Sequence, residues 1–287
     1  MTECAHGRTF VTSSSTREFD PDLDLLVAAA PSRGLVAEIT VWDDPAVTWE
    51  AYDAVVVRSC WDYLTRREEF LTWADSVPHL HSQSQVLRWN TDKIYLQQLK
   101  AAGVPIIQTR WDVRRGDNLG GHDEWVLKPT IFSGARDTAR WESPEDVYEH
   151  SAALMAAGRT SMTQPFVESV DRRGETATLS FDNQLSHAIR KGPILTRGEG
   201  IHQERPGEES ITPREPAPAQ RAVSVAALEA VADILDLTEP PMYARVYLVT
   251  TDHGPVVIEL ELTEPSLFLP ESRGGADRFV DRLLARI

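Results

Sequence analysis

Cysteine is nearly absent from this chain: Cys4 and Cys60 are the full complement, and they form no CxxC spacing. That excludes a disulfide framework and a thiolate zinc site, and it makes a reducing cytoplasm the simplest setting. Positive charge is scarce too. Twenty-nine Lys and Arg against 44 Asp and Glu leave a net charge of −15, which argues against nucleic acid and anionic membrane as partners. No window approaches a run of about 18 apolar residues, and the start MTECAHGRT has no apolar signal core, so neither membrane spanning nor secretion is expected. The motifs GxxxxGK[ST], GxGxxG and Gly-x-Ser-x-Gly are all missing. P-loop, dinucleotide-fold and serine-hydrolase chemistries therefore lack their central element. His79 and His81 have no acidic or cysteine neighbour with which to hold a metal.

The 287 residues leave room for about two domains and a substantial core. The first 85 or so read as an α/β unit. Strands are expected from Arg8 to Val11, Leu35 to Trp42 and Ala54 to Val57, with helices from Asp20-Pro21 and over Arg66 to Trp73. That order suits a parallel sheet with crossover helices. Arg58, Ser59 and Trp61 then fall at the carboxyl end of the third strand, where open α/β sheets bind ligands; ordinary loop chemistry is the alternative. Pro206 to Gln220 is rich in proline, glutamate and alanine and reads as a mobile connection. Val223 to Ile234 and Phe279 to Leu284 carry helical core stripes.

Two lysines stand where local physics does not favour them. Asn90 or Thr91 reads as the N-cap of a helix through Tyr95, Leu96 and Leu99, which puts Lys93 in the first turn. A cation there is disfavoured by about 0.3 to 1 kcal/mol, and a bound anion would reverse the sign. Lys128 closes the apolar run Trp125 to Leu127 ahead of Pro129 and projects from a strand end, either as a snorkelling surface lysine or toward a ligand. Shortly after it, Ser133 to Thr138 forms a small polar loop suited to folding over phosphates.

Two carboxylates follow on one strand. By the period-2 rule Val257, Glu259, Glu261 and Thr263 share one face, and Val256, Ile258, Leu260 and Leu262 the other. Same-face neighbours lie roughly 6.5 to 7 Å apart, close enough to share divalent cations. A short loop ending at a left-handed Gly254 would set Arg245 opposite Glu261 and Tyr247 opposite Glu259. An edge hairpin with a surface Arg–Glu pair is the alternative.

In this order and spacing, the segments from Trp89 to Leu267 resemble the ATP-grasp ligases. The resemblance implies a mixed α/β and α+β architecture: an ATP-grasp fold behind an N-terminal parallel-sheet domain, divided at 1–86, 87–163 and 164–287. It implies that Lys93 and Lys128 bind nucleotide phosphates and that Ser133, Gly134 and Ala135 close over them. Gln164, Phe166 and Val167, with Glu168 nearby, would form the adenine hinge, and Glu175 would hold the ribose. Lys191 and Arg245 would face the transferred phosphoryl group, and Glu259 with Glu261 would hold the metal. HAIRKGP, ARV and ELxEPSL are similar to the subgroup of cyclo-ligases that close O-ureido-D-serine into cycloserine. His187 and Ser266 lie in that wording and join Arg58, Ser59 and Trp61 as candidate substrate contacts. The chain departs from the family at Tyr247, where Asp is usual, and Arg197 to Glu204 matches only loosely.

The implied activity is ATP-dependent carbon–nitrogen ligation of an amino-acid-like small molecule through an acyl phosphate, with ATP and Mg2+ or Mn2+, in specialised metabolism. The amide formed could be open or a ring, and a homo-oligomer is compatible. Two other readings stay open on the sequence: a small-molecule kinase on the same fold, and a nucleotide-binding protein without catalysis.

Overall fold

The structure, a computed structural model, describes residues 7–132, 134–202 and 209–287. Strand β1 (Gly7–Thr12) leads into helix α1 (Pro21–Ala29), whose N-cap Asp20 accepts from the Asp22 amide at 3.0 Å, with Pro21 at N1 as the Asp-Pro pair predicts. β2 (Ala37–Val41) and β3 (Tyr52–Ser59) pair in parallel on either side of β1, giving the expected parallel sheet. α2 (Tyr63–Ser76) begins four residues after β3 ends and contains the predicted helical stretch.

The next helices correct the sequence reading. α3 (Ser84–Asn90) ends at Asn90, residues 91–94 form a turn, and α4 (Tyr95–Ala101) starts afterwards. Asn90 does not cap. Its Nδ2 donates to the Leu260 carbonyl at 2.9 Å, and its Oδ1 accepts from the Leu262 amide at 2.6 Å. The side chain is thereby spent on a strand 170 residues later in the chain, and Lys93 sits in a turn between helices.

β4 (Arg110–Trp111), β5 (Trp125–Pro129), β6 (Ala139–Trp141), helix α5 (Pro144–Ala156) and β7 (Ser161–Pro165) build an antiparallel sheet of order β4-β7-β5-β6. After α6 (Ser169–Arg173) come β8 (Glu175–Phe181), β9 (Gln184–Lys191), β10 (Ile211–Pro213), α7 (Pro218–Ile234), β11 (Tyr243–Thr251), β12 (Gly254–Glu261) and α8 (Gly275–Leu284). Their antiparallel sheet has the order β10-β9-β8-β11-β12. Within the stretch expected to be a mobile connection, Ile211 to Pro213 pair with Ile189 to Lys191; residues 206–208 lie outside the described residues. Backbone pairing along an open sheet edge outweighs composition there.

The hairpin of β11 and β12 turns at Asp252-His253, with Gly254 at φ 112°, and Arg245 pairs with Glu261 and Tyr247 with Glu259 as expected. The faces differ from the period-2 reading. Tyr247 pairs with Glu259 but Leu248 pairs with Val257, so Ile258 is an extra, bulged residue. Val257 consequently turns into the core with Leu260 and Leu262, and Ile258 joins the acidic side.

Candidate active site

A cavity of about 1020 Å³ lies where the two antiparallel sheets meet the carboxyl end of the parallel sheet. Val126, Val167, Val170, Val249 and Ile258 make one end apolar. Gln164 and Phe166 also line it, but the Gln164 amide donates to Thr109 Oγ1 at 3.1 Å and the Phe166 N–H donates to the Glu124 carbonyl at 2.9 Å. Glu168 does not line the cavity; its carboxylate is exposed and pairs with Arg172 at 2.8 Å, one helical turn on. Gly134 and Ala135 close over this end with φ of 60° and 56°. A left-handed alanine costs about 1 to 2 kcal/mol, a strain tolerated where a loop must turn sharply over a ligand. Ser133 lies outside the described residues.

Deeper in, cations and carboxylates interleave. Lys93 Nζ donates to the Phe132 carbonyl at 2.9 Å and sits 3.2 Å from Glu259 Oε1, while Lys128 Nζ lies 3.9 Å from Glu259 Oε2. Both lysines are 7% exposed, so Lys128 is not the exposed strand-end residue that its position suggests. Burial pushes the Lys128 pKa down, with Glu259 opposing. Burial would raise Glu259, but Lys93 and Lys128 overcome it and bring its carboxyl to about 2. Glu261 moves the other way, raised by burial against the pull of Arg245, with the neighbouring Glu259 charge adding to the rise. Two neighbouring carboxyls of one strand, both lining the cavity, form a natural seat for a divalent cation. Among the described residues no third carboxylate, histidine or cysteine completes a metal cluster, which suits an ion that arrives with phosphate oxygens.

Glu175 faces Lys191 across β8 and β9. Burial raises its pKa while Lys191 and Lys128 lower it. The preceding Gly174 has φ 65°, and a Cβ there would meet the Lys191 carbonyl at 2.3 Å, so only glycine lets the strands approach. The Lys191 ammonium pairs with Glu209 and lies 5.6 Å from the Tyr247 ring centre. Burial works against that charge, yet the carboxylates of Glu209 and Glu175 help to hold the pKa above the usual lysine value. Arg245 pairs with Glu261, donates to the Ser266 carbonyl at 2.6 Å and lies 4.9 Å from the same ring. Tyr247 is 4% exposed, and its hydroxyl has no hydrogen-bond partner among the described residues.

The parallel sheet contributes differently from expectation. Trp61 lines the cavity, but Arg58 and Ser59 are 0% exposed inside β3. Ser59 bonds Thr12 Oγ1 at 2.8 Å, and Arg58 lies 4.8 Å from the Tyr243 ring centre and donates to the Pro265 carbonyl at 2.7 Å. Trp61 Nε1 donates to the Glu264 carbonyl at 2.9 Å, and Asp22 accepts from the Leu267 and Leu269 amides at 2.5 and 2.8 Å. These residues clamp the loop after β12, which presents Ser266 and Glu264 to the cavity. His187 is likewise off the cavity: its Nε2 donates to the Leu267 carbonyl at 2.8 Å, and burial lowers its pKa to about 4. Extended strands bury alternate side chains, so a position at a strand end does not by itself reach the cleft.

Sequence reasoning missed Glu264 and Glu209. Glu264 was legible in ELxEPSL as a carboxylate three residues beyond Glu261; Glu209 had no signal inside a proline-rich stretch.

Residues 9–88 match the family described as D-cycloserine synthetase DcsG, N-terminal domain. The chain is 38% identical to the cycloserine biosynthesis protein DcsG of Streptomyces lavendulae, over 96% of this chain and 97% of that protein. It superposes on the crystal structure of D-cycloserine synthetase DcsG with a TM-score of 0.89 at 36% identity, covering 98% of this chain and 99% of that one. D-alanine–D-alanine ligase from Bacillus anthracis shares the fold, with a TM-score of 0.63 at 14% identity over 97% of this chain and 95% of that one.

Proposed function

Because this chain belongs to the DcsG family of ATP-grasp ligases, we propose that it activates the carboxylate of an amino-acid-like small molecule as an acyl phosphate, using ATP with Mg2+ or Mn2+. A nitrogen of the same molecule then attacks the acyl carbon, forming the C–N bond of a ring and releasing phosphate. The observation that carries this reading is the set of groups around one cavity: an apolar wall, Lys128, the carboxyls of Glu259 and Glu261, Lys191, Arg245 and Trp61 line it, and Lys93, which does not line it, pairs with Glu259 at 3.2 Å. The subdivision at residues 1–86, 87–163 and 164–287 belongs to the same proposal.

Each group has a task. Lys93 and Lys128 are desolvated cations, so a nucleotide phosphate gains more from them than from surface lysines. Lys191 and Arg245 stay charged in a buried setting and neutralise the oxygens of the transferred phosphoryl group. Glu259 and Glu261 would hold the cation, which supplies charge neutralisation at the phosphates when bound. The Tyr247 hydroxyl, neutral because burial raises its pKa well above the phenol value, offers a hydrogen bond between two cations. Among the described residues no helix is long and apolar enough to cross a membrane.

Hydroxylamine tests the intermediate. With ATP, Mg2+ and O-ureido-D-serine the protein should yield a hydroxamate and ADP. ADP release with a stable phosphorylated product and no hydroxamate would make it a kinase.

A further inference from the structure

Glu264 is the unexplained carboxyl group of the cavity. Its backbone is fixed from the parallel sheet: Trp61 Nε1 donates to its carbonyl at 2.9 Å and Arg58 donates to the next carbonyl at 2.7 Å. Its side chain lines the cavity, and its Oε2 is shielded from solvent without a hydrogen-bond partner among the described residues. Two other carboxylates at this end are engaged. Asp22 holds the Leu267 and Leu269 amides, and Asp62 accepts from Trp42 Nε1 at 3.0 Å and lies 3.5 Å from Arg66.

An enclosed acceptor on a rigid loop is costly unless a donor arrives. The Tyr63 hydroxyl neighbours this carboxyl, but among the described residues no donor reaches Oε2, so the ligand is the source for that oxygen. Next to it, Arg245 donates to the Ser266 carbonyl and, with Lys191, forms the cationic part of the cavity. The cavity thus has a cationic region for one end of a zwitterion and an unfilled acidic acceptor for the other.

We propose that Glu264 receives the amino group of the substrate, so that an α-amino acid binds with its carboxylate toward Lys191 and Arg245 and its ammonium against Glu264. This deepens the ligase reading and rests on it for the direction in which the carboxylate points. Burial and the Glu261 charge raise the Glu264 pKa to about 8, so the resting carboxyl is neutral and an arriving ammonium ionises it at little cost near neutral pH.

Calorimetry on the full chain with Mg2+ and AMPPNP tests it, comparing O-ureido-D-serine with the analogue carrying hydrogen in place of the α-amino group. Wild type should prefer the amino compound by about tenfold or more, the worth of a charge-assisted hydrogen bond. Glu264→Gln matches the neutral acid in shape and should bring the two affinities within about twofold while leaving AMPPNP affinity intact. Glu264→Asp, which keeps the charge on a shorter arm, should recover part of the preference. A Glu264→Gln variant that keeps the wild-type ratio, or a wild type with no preference, overturns the proposal. The ligase reading is judged apart from this: a hydroxamate-forming enzyme with an unchanged ratio in Glu264→Gln loses only the Glu264 assignment. A phosphorylated product alongside a lost ratio removes only the ligase.

Discussion

Lys93 Nζ and Glu259 Oε1 stand 3.2 Å apart with their side chains 9% and 16% exposed, a desolvated ion pair that joins the lysine proposed for nucleotide phosphate to the strand proposed for the metal. The pair links two ligands before either arrives. A nucleotide phosphate competes for the lysine and a cation for the carboxylate, so binding of one frees the partner of the other.

Breaking this pair on one side leaves a buried charge. Lys93→Met should lower unfolding stability by about 3 kcal/mol, and adding Glu259→Gln should return much of it. Urea unfolding of the single and double variants without ligand measures the coupling; additive losses would show the pair to be energetically idle.

Lys128 behaves otherwise, because its carboxylate partner is farther away at 3.9 Å and Lys93 already serves it. Lys128→Met removes a desolvated ammonium along with a weak pairing, so stability should change by no more than about 1 to 2 kcal/mol. ATP affinity should fall by about 10- to 100-fold, the range for a charged hydrogen bond. Calorimetry beside a melting curve separates the two effects.

Tyr247 stands opposite Glu259 in the hairpin. Its ring is core, so Tyr247→Asp would open a ring-sized void, whereas Tyr247→Phe removes only a hydroxyl without a described partner. Tyr247→Phe should keep or slightly raise the melting temperature and lower turnover. Unchanged turnover would show that the hydroxyl never meets the substrate.

His187 supplies a pH signature. Its folded pKa of about 4 lies below the ordinary 6.5, so the unfolded chain binds the proton more tightly. The stabilisation is complete above pH 6.5 and is lost as pH falls toward 4, amounting to about 3 kcal/mol from the shift. Unfolding free energies measured from pH 7 to pH 4 should fall less steeply in His187→Asn.

What the sequence revealed depended on how local each signal was. The Asp20-Pro21 start of α1 and the Arg245–Glu261 register were legible because capping and hairpin pairing involve near neighbours. Asn90 misled because its partners, Leu260 and Leu262, are distant in sequence, and a side chain bound there cannot cap a helix. Arg58 and Ser59 were placed at a strand end correctly, but which face they occupy is set by the packing of Tyr243 and Thr12. Lys128 looked exposed since its carboxylate neighbour, Glu259 at 3.9 Å, lies far along the chain.

The bulge at Ile258 makes the acidic wall a question of parity. Were Ile258 drawn into regular pairing with Tyr247 while Leu248 kept Val257, Glu259 and Glu261 would rotate toward the apolar cluster of Val246 and Ala244, and Leu260 toward the cavity. Every side chain type would be present, and the proposed metal seat would be gone. Loss of Ile258 itself would leave Tyr247 opposite Glu259, so the faces of this hairpin depend on where a residue is unpaired and not on strand length alone, and an alignment gap misplaced by one position here assigns the charges to the wrong side of the sheet.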